Sequence, residues 1–197
     1  MICNYGSSLS YAHHLDKERD LDKKTAKACF YGTTTGDMNP LHNKRIDLCL
    51  WGLDNRDICD FAITNIAQMS DSDVTEAIPR FREIYRPSRI SVDEQLQFKY
   101  HVIPDGNTCR FDVWNYTTNN VVMKYDSKEM LWYYPLLQED THYVGVNKSN
   151  LRNKIQILEN SPETSRVIIY NANKLAQSLF RPIIHQMYTI NLFENMT

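Results

Sequence analysis

The segment that most constrains the fold is the apolar stretch 57–71, DICDFAITNIAQMSD. Ile58, Phe61, Ala62, Ile66 and Met69 recur at helical spacing, and Ile63 and Ala67 extend the apolar surface round the side. The spacing predicts a helix over 57–70 that is apolar over most of its circumference. Such a helix has to be wrapped rather than merely covered. Beyond Pro87 the period changes to two. In LQFKYHV, Leu96, Phe98, Tyr100 and Val102 alternate with Gln97, Lys99 and His101. In CRFDVWNY, Cys109, Phe111 and Val113 alternate with Arg110 and Asp112. The turns IPDGNT and TTNN separate these runs from a third, VVMKYDSKEMLWYY, and Asn119-Asn120 suits the positive φ of a tight hairpin. Three strands joined by short turns read as an antiparallel meander with one solvated face. A sheet of that kind wrapped round the buried helix is an α+β architecture.

The flanking regions are read in the same way. Residues 7–15, SSLSYAHHL, are a strand candidate. DKKTAKACFYG begins at a capping residue, Asp22, and ends at Gly32, which predicts a short helix. SRVIIY is a further strand candidate, and NANKLAQSLF a helix stopped or kinked at Pro182. The expected organisation is one domain over 1–137 and a C-terminal extension over 138–197. Apolar residues make up 42% and charged residues 23% of the chain, a globular mixture, and a net charge of -2 gives no electrostatic reason for a nucleic-acid or membrane partner. The five cysteines are odd in number and form no CxxC or Cys/His cluster, which argues against a disulfide framework or a metal site and for a reducing, cytoplasmic setting. No run reaches the apolar length of a membrane span, and no secretory signal is visible at the N-terminus.

The chemistry is concentrated in YGTTTGDMNPLHNKRID, residues 31–47. Asp37 and His42 are an acid–base couple, since a neutral imidazole can move a proton at pH 7 and a carboxylate can orient it. Pro40 excludes a regular helix through them. They meet only if the loop curls back, which Gly36 permits and Pro40 fixes. On spacing alone, an ordinary solvated pair and a catalytic pair are both open readings.

The stretch GDMNPLH resembles the G-D-x-N-P-[LIV]-H signature of the MaoC-like dehydratases, the (R)-specific enoyl-CoA hydratase group of the hotdog fold. Gly36, Asp37, Asn39, Pro40, Leu41 and His42 match its fixed positions. The resemblance implies an antiparallel sheet wrapped round a central helix, with Asp37 and His42 activating a water. That water adds across, or is removed from, the 2,3 double bond of an enoyl thioester of CoA or acyl carrier protein. It implies a lyase of fatty acid or polyketide metabolism, a homodimer formed along the sheet edge, and no cofactor, because water is the reagent. Asn39 and Gly36 would support the site. The family's oxyanion donor falls near Cys59 and Asp60, with Phe61 next, where a His-Gly pair is usual and no glycine stands here. Two alternatives follow on the same fold, a non-catalytic acyl-thioester-binding subunit and a thioesterase. A third is an unrelated α+β interaction protein in which the motif is coincidental.

Overall fold

The computed structural model describes residues 6–88, 90–104, 113–126 and 133–179, with the backbone alone for 6–10. Five strands form one sheet: β1 (Thr25–Thr33), β2 (Cys59–Asn65), β3 (Phe98–Ile103), β4 (Val121–Tyr125) and β5 (Val144–Val146). Their order is β2-β1-β3-β4-β5, and every neighbouring pair is parallel. The architecture is therefore α/β. The expected antiparallel hotdog, with its meander and its wrapped helix at 57–70, is overturned by this sheet.

The reason lies in β2. Cys59, Phe61 and Ile63 are buried against one face of the sheet, and Ala62 between them is fully buried on the other. A strand buried on both faces shows an unbroken apolar run rather than alternation, and over a short window that run imitates an all-round apolar helix. Burying side chains such as Phe61 and Ile63 contributes about 1.5–3 kcal/mol each. The supposed hairpin at TTNN fails for a related reason. Thr118–Asn120 leads out of a buried 3-10 turn, Val113–Thr117, and delivers β4 parallel to β3, with Tyr100 opposite Val121. Residues 109–112 of the middle strand candidate lie outside the described residues.

Seven helices are described: α1 (Gly6–Asp16), α2 (Lys44–Leu53), α3 (Asp71–Ala77), α4 (Phe81–Ile84), α5 (Val92–Gln95), α6 (Leu151–Asn160) and α7 (Pro162–Leu179). The strand expected at 7–15 is α1. The helix expected from Asp22 is only the 3-10 turn Leu21–Lys23, after which the chain enters β1. SRVIIY is part of α7, where Ser165, Ile168, Ile169, Ala172 and Ala176 make the buried stripe of a helix rather than a strand face. NANKLAQSLF is helical as far as Leu179, the rest lying outside the described residues. The region after 138 supplies β5, α6 and α7, which pack on the same sheet.

Two cores result, one on each face. The larger gathers Phe30, Phe61, Ile63, Tyr100, Val102 and Met123 with α2, α4, α6 and the first half of α7. The smaller joins Val122 to Leu96, Trp114, Tyr116, Ala12 and the second half of α7. Gly52 lets α2 lie close on β2, because a Cβ there would stand 2.8 Å from Phe61 Cδ2.

Two polar groups are buried beneath the sheet's second face. Lys24 Nζ donates to Asp16 Oδ1 at 2.6 Å and to Asn120 Oδ1 at 3.1 Å, and Asn119 N donates to Asp16 Oδ2. Burial pushes the Asp16 carboxyl up and the Lys24 ammonium down, and their pairing offsets part of both. His101, on β3, lies edge-on to Trp114 with Nε2 2.9 Å from Gln95 O and Nδ1 2.6 Å from the Asn115 side-chain amide. At the sheet's margins, Tyr85 makes a parallel bridge to Ile63, and Arg86 N donates to Ile63 O at 2.8 Å. On the other side β5 is three residues long, and the Glu139 side chain lies across Gly145 where a Cβ would sit.

Candidate functional site

In an open parallel sheet, ligands bind beyond the carboxyl ends of the strands, where the strand order reverses. Here the reversal falls between β1 and β3. β1 continues to β2 on one side, and β3 continues to β4 and β5 on the other. The loop leaving β1 at this point is Thr34–Asn43, the centre of the motif singled out from the sequence.

The loop is built from side chains that fold their own backbone. Asp37 Oδ1 accepts from Asn39 N at 2.9 Å, Asn39 Oδ1 from Leu41 N at 3.0 Å, and Asn43 Oδ1 from Arg45 N at 3.1 Å. These are three successive Asx turns. Gly36 takes φ +121, a conformation that L side chains rarely adopt. Pro40–His42 is a single 3-10 turn. Asn43 closes the loop. It is buried, caps α2 by also accepting from Ile46 N at 3.2 Å, and donates through Nδ2 to Thr34 O at 2.9 Å and Asp37 O at 2.8 Å. Asn43→Ala removes a cap and two loop bonds at once, and the expected loss of stability is about 2 kcal/mol, read by urea unfolding.

Cationic side chains stand at the same end of the sheet. Arg45, in the first turn of α2, donates to Thr35 Oγ1 at 2.8 Å and Thr33 O at 3.2 Å, and its guanidinium lies 5.8 Å from the Phe30 ring centroid. Lys44 Nζ donates to Asp126 O at 3.4 Å, just past β4. The first turn of α2, its Arg45 and Ile46 N–H groups capped by Asn43, therefore sets two cations at this end of the sheet, where they and the helix dipole favour an anion. A second loop, leaving β2, is tied to the first. Thr34 Oγ1 donates to Ala67 O and accepts from Ala67 N, both at 2.8 Å, and Gly36 N donates to Gln68 Oε1 at 3.1 Å.

Of the residues singled out from the sequence, Gly36, Asp37, Asn39 and His42 share this loop. The Asp37 carboxylate is turned to Asn39 N, and the partner of His42 Nδ1 is Asn39 Nδ2 at 3.4 Å. Cys59, Asp60 and Phe61 are elsewhere. Cys59 pairs with Ala28 in register, in the first half of β1 and away from the loop. Five residues of strand separate Ala28 from Thr33, roughly 17 Å. Cys59 is buried and its thiol is pushed up to about 12 by burial and then by Asp57 and Asp60. Asp60 is half-buried. Burial opposes its charge, but Arg86 Nη2 at 2.7 Å and the Tyr31 hydroxyl at 2.7 Å hold its carboxyl below the usual range. Phe61 is a core side chain. The structure therefore keeps these three residues apart from the loop. Thr34, Asn43, Arg45 and Gln68 belong to it and went unnoticed in the sequence, although TTTG after an apolar run and Asn43 ahead of an amphipathic segment were available signals.

No known protein-family profile matches the chain, and no curated protein does. Solved structures do. The C-terminal domain of the glycosyl transferase group 1 family protein LpcC from Francisella tularensis superposes with a TM-score of 0.52 at 10% identity, over 86% of this chain and 93% of that one. TarM superposes with a TM-score of 0.56 at 14% identity, over 86% of this chain and 35% of that one, so the chain spans about a third of TarM. The likeness is one of fold, and it agrees with the parallel sheet. The MaoC-like resemblance does not survive it. The hydratase or dehydratase reaction, the acyl-CoA or carrier-protein substrate, the thioesterase and acyl-binding alternatives and the edge-paired hotdog homodimer all presupposed an antiparallel sheet, whereas the sheet of the described residues is parallel throughout. Among the described residues no helix is long and apolar enough to cross a membrane, and no group of three or more His, Cys, Asp or Glu could hold a metal ion.

Proposed function

We propose that the chain is the donor-binding part of a glycosyltransferase, acting on a nucleoside-diphosphate sugar. The observation that carries this reading is the convergence of the first turn of α2, Arg45, Lys44 and the hydroxyls of Thr33 and Thr35 at the strand-order reversal. The fold likeness to a glycosyl transferase group 1 domain supports it. In such a transfer the bond from the sugar's anomeric carbon to the diphosphate breaks and a bond from that carbon to an acceptor oxygen forms. The acceptor's proton passes to a base, and the leaving diphosphate keeps the bonding electron pair. Negative charge grows on the phosphate as the bond stretches, so preorganised cations and N–H donors there lower the barrier. Arg45 and Lys44 fill that role. Positioned by its Nη1 bond to Thr35 Oγ1, Arg45 would offer phosphate a charge-assisted hydrogen bond. His42, exposed and with Nδ1 3.4 Å from Asn39 Nδ2, would offer its imidazole to a donor or acceptor group. LpcC contributes a C-terminal domain to this comparison, and this chain in the same way would provide one lobe, the acceptor being held by a second. A reducing compartment suits the free thiols of Cys29, Cys49 and Cys59.

The test is titration calorimetry with UDP, GDP and ADP and their glucose conjugates. One of them should bind, and Arg45→Ala should weaken it about tenfold to a hundredfold, the range for one hydrogen bond to a charged group. Failure of every nucleotide to bind would overturn the reading.

A further inference from the structure

Gln68 is the residue in this loop pair whose conformation is hardest to explain by packing. It is exposed, it is not glycine, and yet it takes φ 68, a left-handed conformation disfavoured for any side chain with a Cβ. It follows Ala67, whose N–H and carbonyl are both bonded to the buried Thr34 hydroxyl, while Thr34 N donates to Asn65 O at 3.2 Å. With its predecessor so fixed, the left-handed turn sends the Gln68 side chain back over the first loop. There Oε1 receives the Gly36 N–H. Gly36 is itself at φ +121 and has nothing within 4 Å of where a Cβ would be, so neighbouring atoms do not hold it by packing. The pivot of the β1 loop is thus pinned from the neighbouring loop by one side-chain hydrogen bond.

We infer that Gln68 is a positioning residue for the donor diphosphate, acting through Gly36 to fix the turn that presents Thr35 to Arg45; this rests on the donor-binding reading above. Backbone strain held at a ligand site and relieved nowhere nearby is the usual mark of preorganisation. Without the bond, Gly36 can rotate and the Thr35 hydroxyl leaves the line it shares with Thr33 Oγ1 at 3.1 Å and Arg45 Nη1 at 2.8 Å. Gln68 itself needs no contact with the ligand.

Two substitutions separate this role from a structural one. Gln68→Gly and Gln68→Asn both accept the left-handed backbone, and neither reaches Gly36 N, because glycine has no side chain and asparagine is one methylene short. Their melting temperatures should equal or exceed that of the wild type, since strain is relieved. Affinity for whichever of UDP, GDP or ADP the wild type binds should nevertheless fall about five- to tenfold, and amide exchange at Gly36, followed by NMR without ligand, should speed up at least tenfold. A role confined to stability predicts the opposite pattern, with affinity tracking the melting temperature. Unchanged Gly36 exchange, or affinity within twofold of wild type in both variants, overturns the inference. If the wild type binds none of the three nucleotides, the donor-binding reading fails and the inference about the diphosphate fails with it. The exchange rate still shows separately whether Gln68 pins Gly36.

Discussion

Lys24→Ala is expected to lower the unfolding free energy by about 3–5 kcal/mol, the largest effect of any single substitution considered for this chain. The side chains of Lys24 and Asp16 are 3% and 0% exposed. Truncating Lys24 leaves a buried carboxylate with Asn119 N still bonded to it but without its closest counter-charge. Arg19 Nε, 3.6 Å from Asp16 Oδ1, is a longer ion pair that replaces only part of it. The cost therefore lies in the orphaned partner rather than in the bond itself. The paired substitution Asp16→Asn with Lys24→Met removes both charges and should recover most of the loss. Urea unfolding of the two variants gives the comparison. A double variant as unstable as Lys24→Ala would show that the pair stabilises in its own right.

The second large effect is one of pH. His101 is buried, and its pKa is lowered from 6.5 to about 4, first by burial and also by the Lys24 charge, with hydrogen bonds to the Asn115 side-chain oxygen and to the Gln95 and Phe98 backbone opposing. In the unfolded chain the imidazole takes up its proton near pH 6.5, whereas in the fold it stays neutral down to about 4. Stability is thus fully present above pH 6.5 and is lost as pH falls toward 4, by on the order of 3 kcal/mol. Denaturation at pH 7, 5.5 and 4 should show this decline, and His101→Gln should flatten it. The same slope in both proteins would mean that other groups carry the acid sensitivity.

The sequence spoke clearly about some elements and misled about others, for reasons that can be traced to particular residues. Within the expected strands LQFKYHV and VVMKYDSKEMLWYY, Phe98–Val102 and Val121–Tyr125 are strand, while Leu96-Gln97 is a turn, Tyr133-Tyr134 enters a 3-10 turn and 127–132 lie outside the described residues; alternation in any case carries no information about strand direction. Direction depended on the path between them, through a 3-10 turn whose Val113, Trp114 and Tyr116 are all buried and look like more strand. FAI at 61–63 is apolar on both sides because both sides are covered, which no period detects. The loop was legible as a place and not as a chemistry. GDMNPLH matches a hydratase signature because a glycine pivot, spaced Asx residues and a proline are what a compact loop requires; with Asn43 just beyond, they fold it into three Asx turns. The residues that tie the loop down, Thr34, Asn43 and Gln68, act across chain separations and contacts that sequence spacing does not reveal, up to thirty-three positions apart for Thr34 and Ala67.

The two margins of the sheet carry a consequence for self-association. An open edge strand is a template on which a second chain can add hydrogen bonds, and long flat edges invite uncontrolled growth. Here Tyr85 and Arg86 already occupy part of the outer edge of β2, and β5 is only three residues long, preceded by a bridge between Glu139 and Tyr143. Among the described residues neither side offers a long uninterrupted ladder to another copy. Short, partly occupied margins of this kind guard a sheet against strand-by-strand growth and leave self-association to side-chain surfaces.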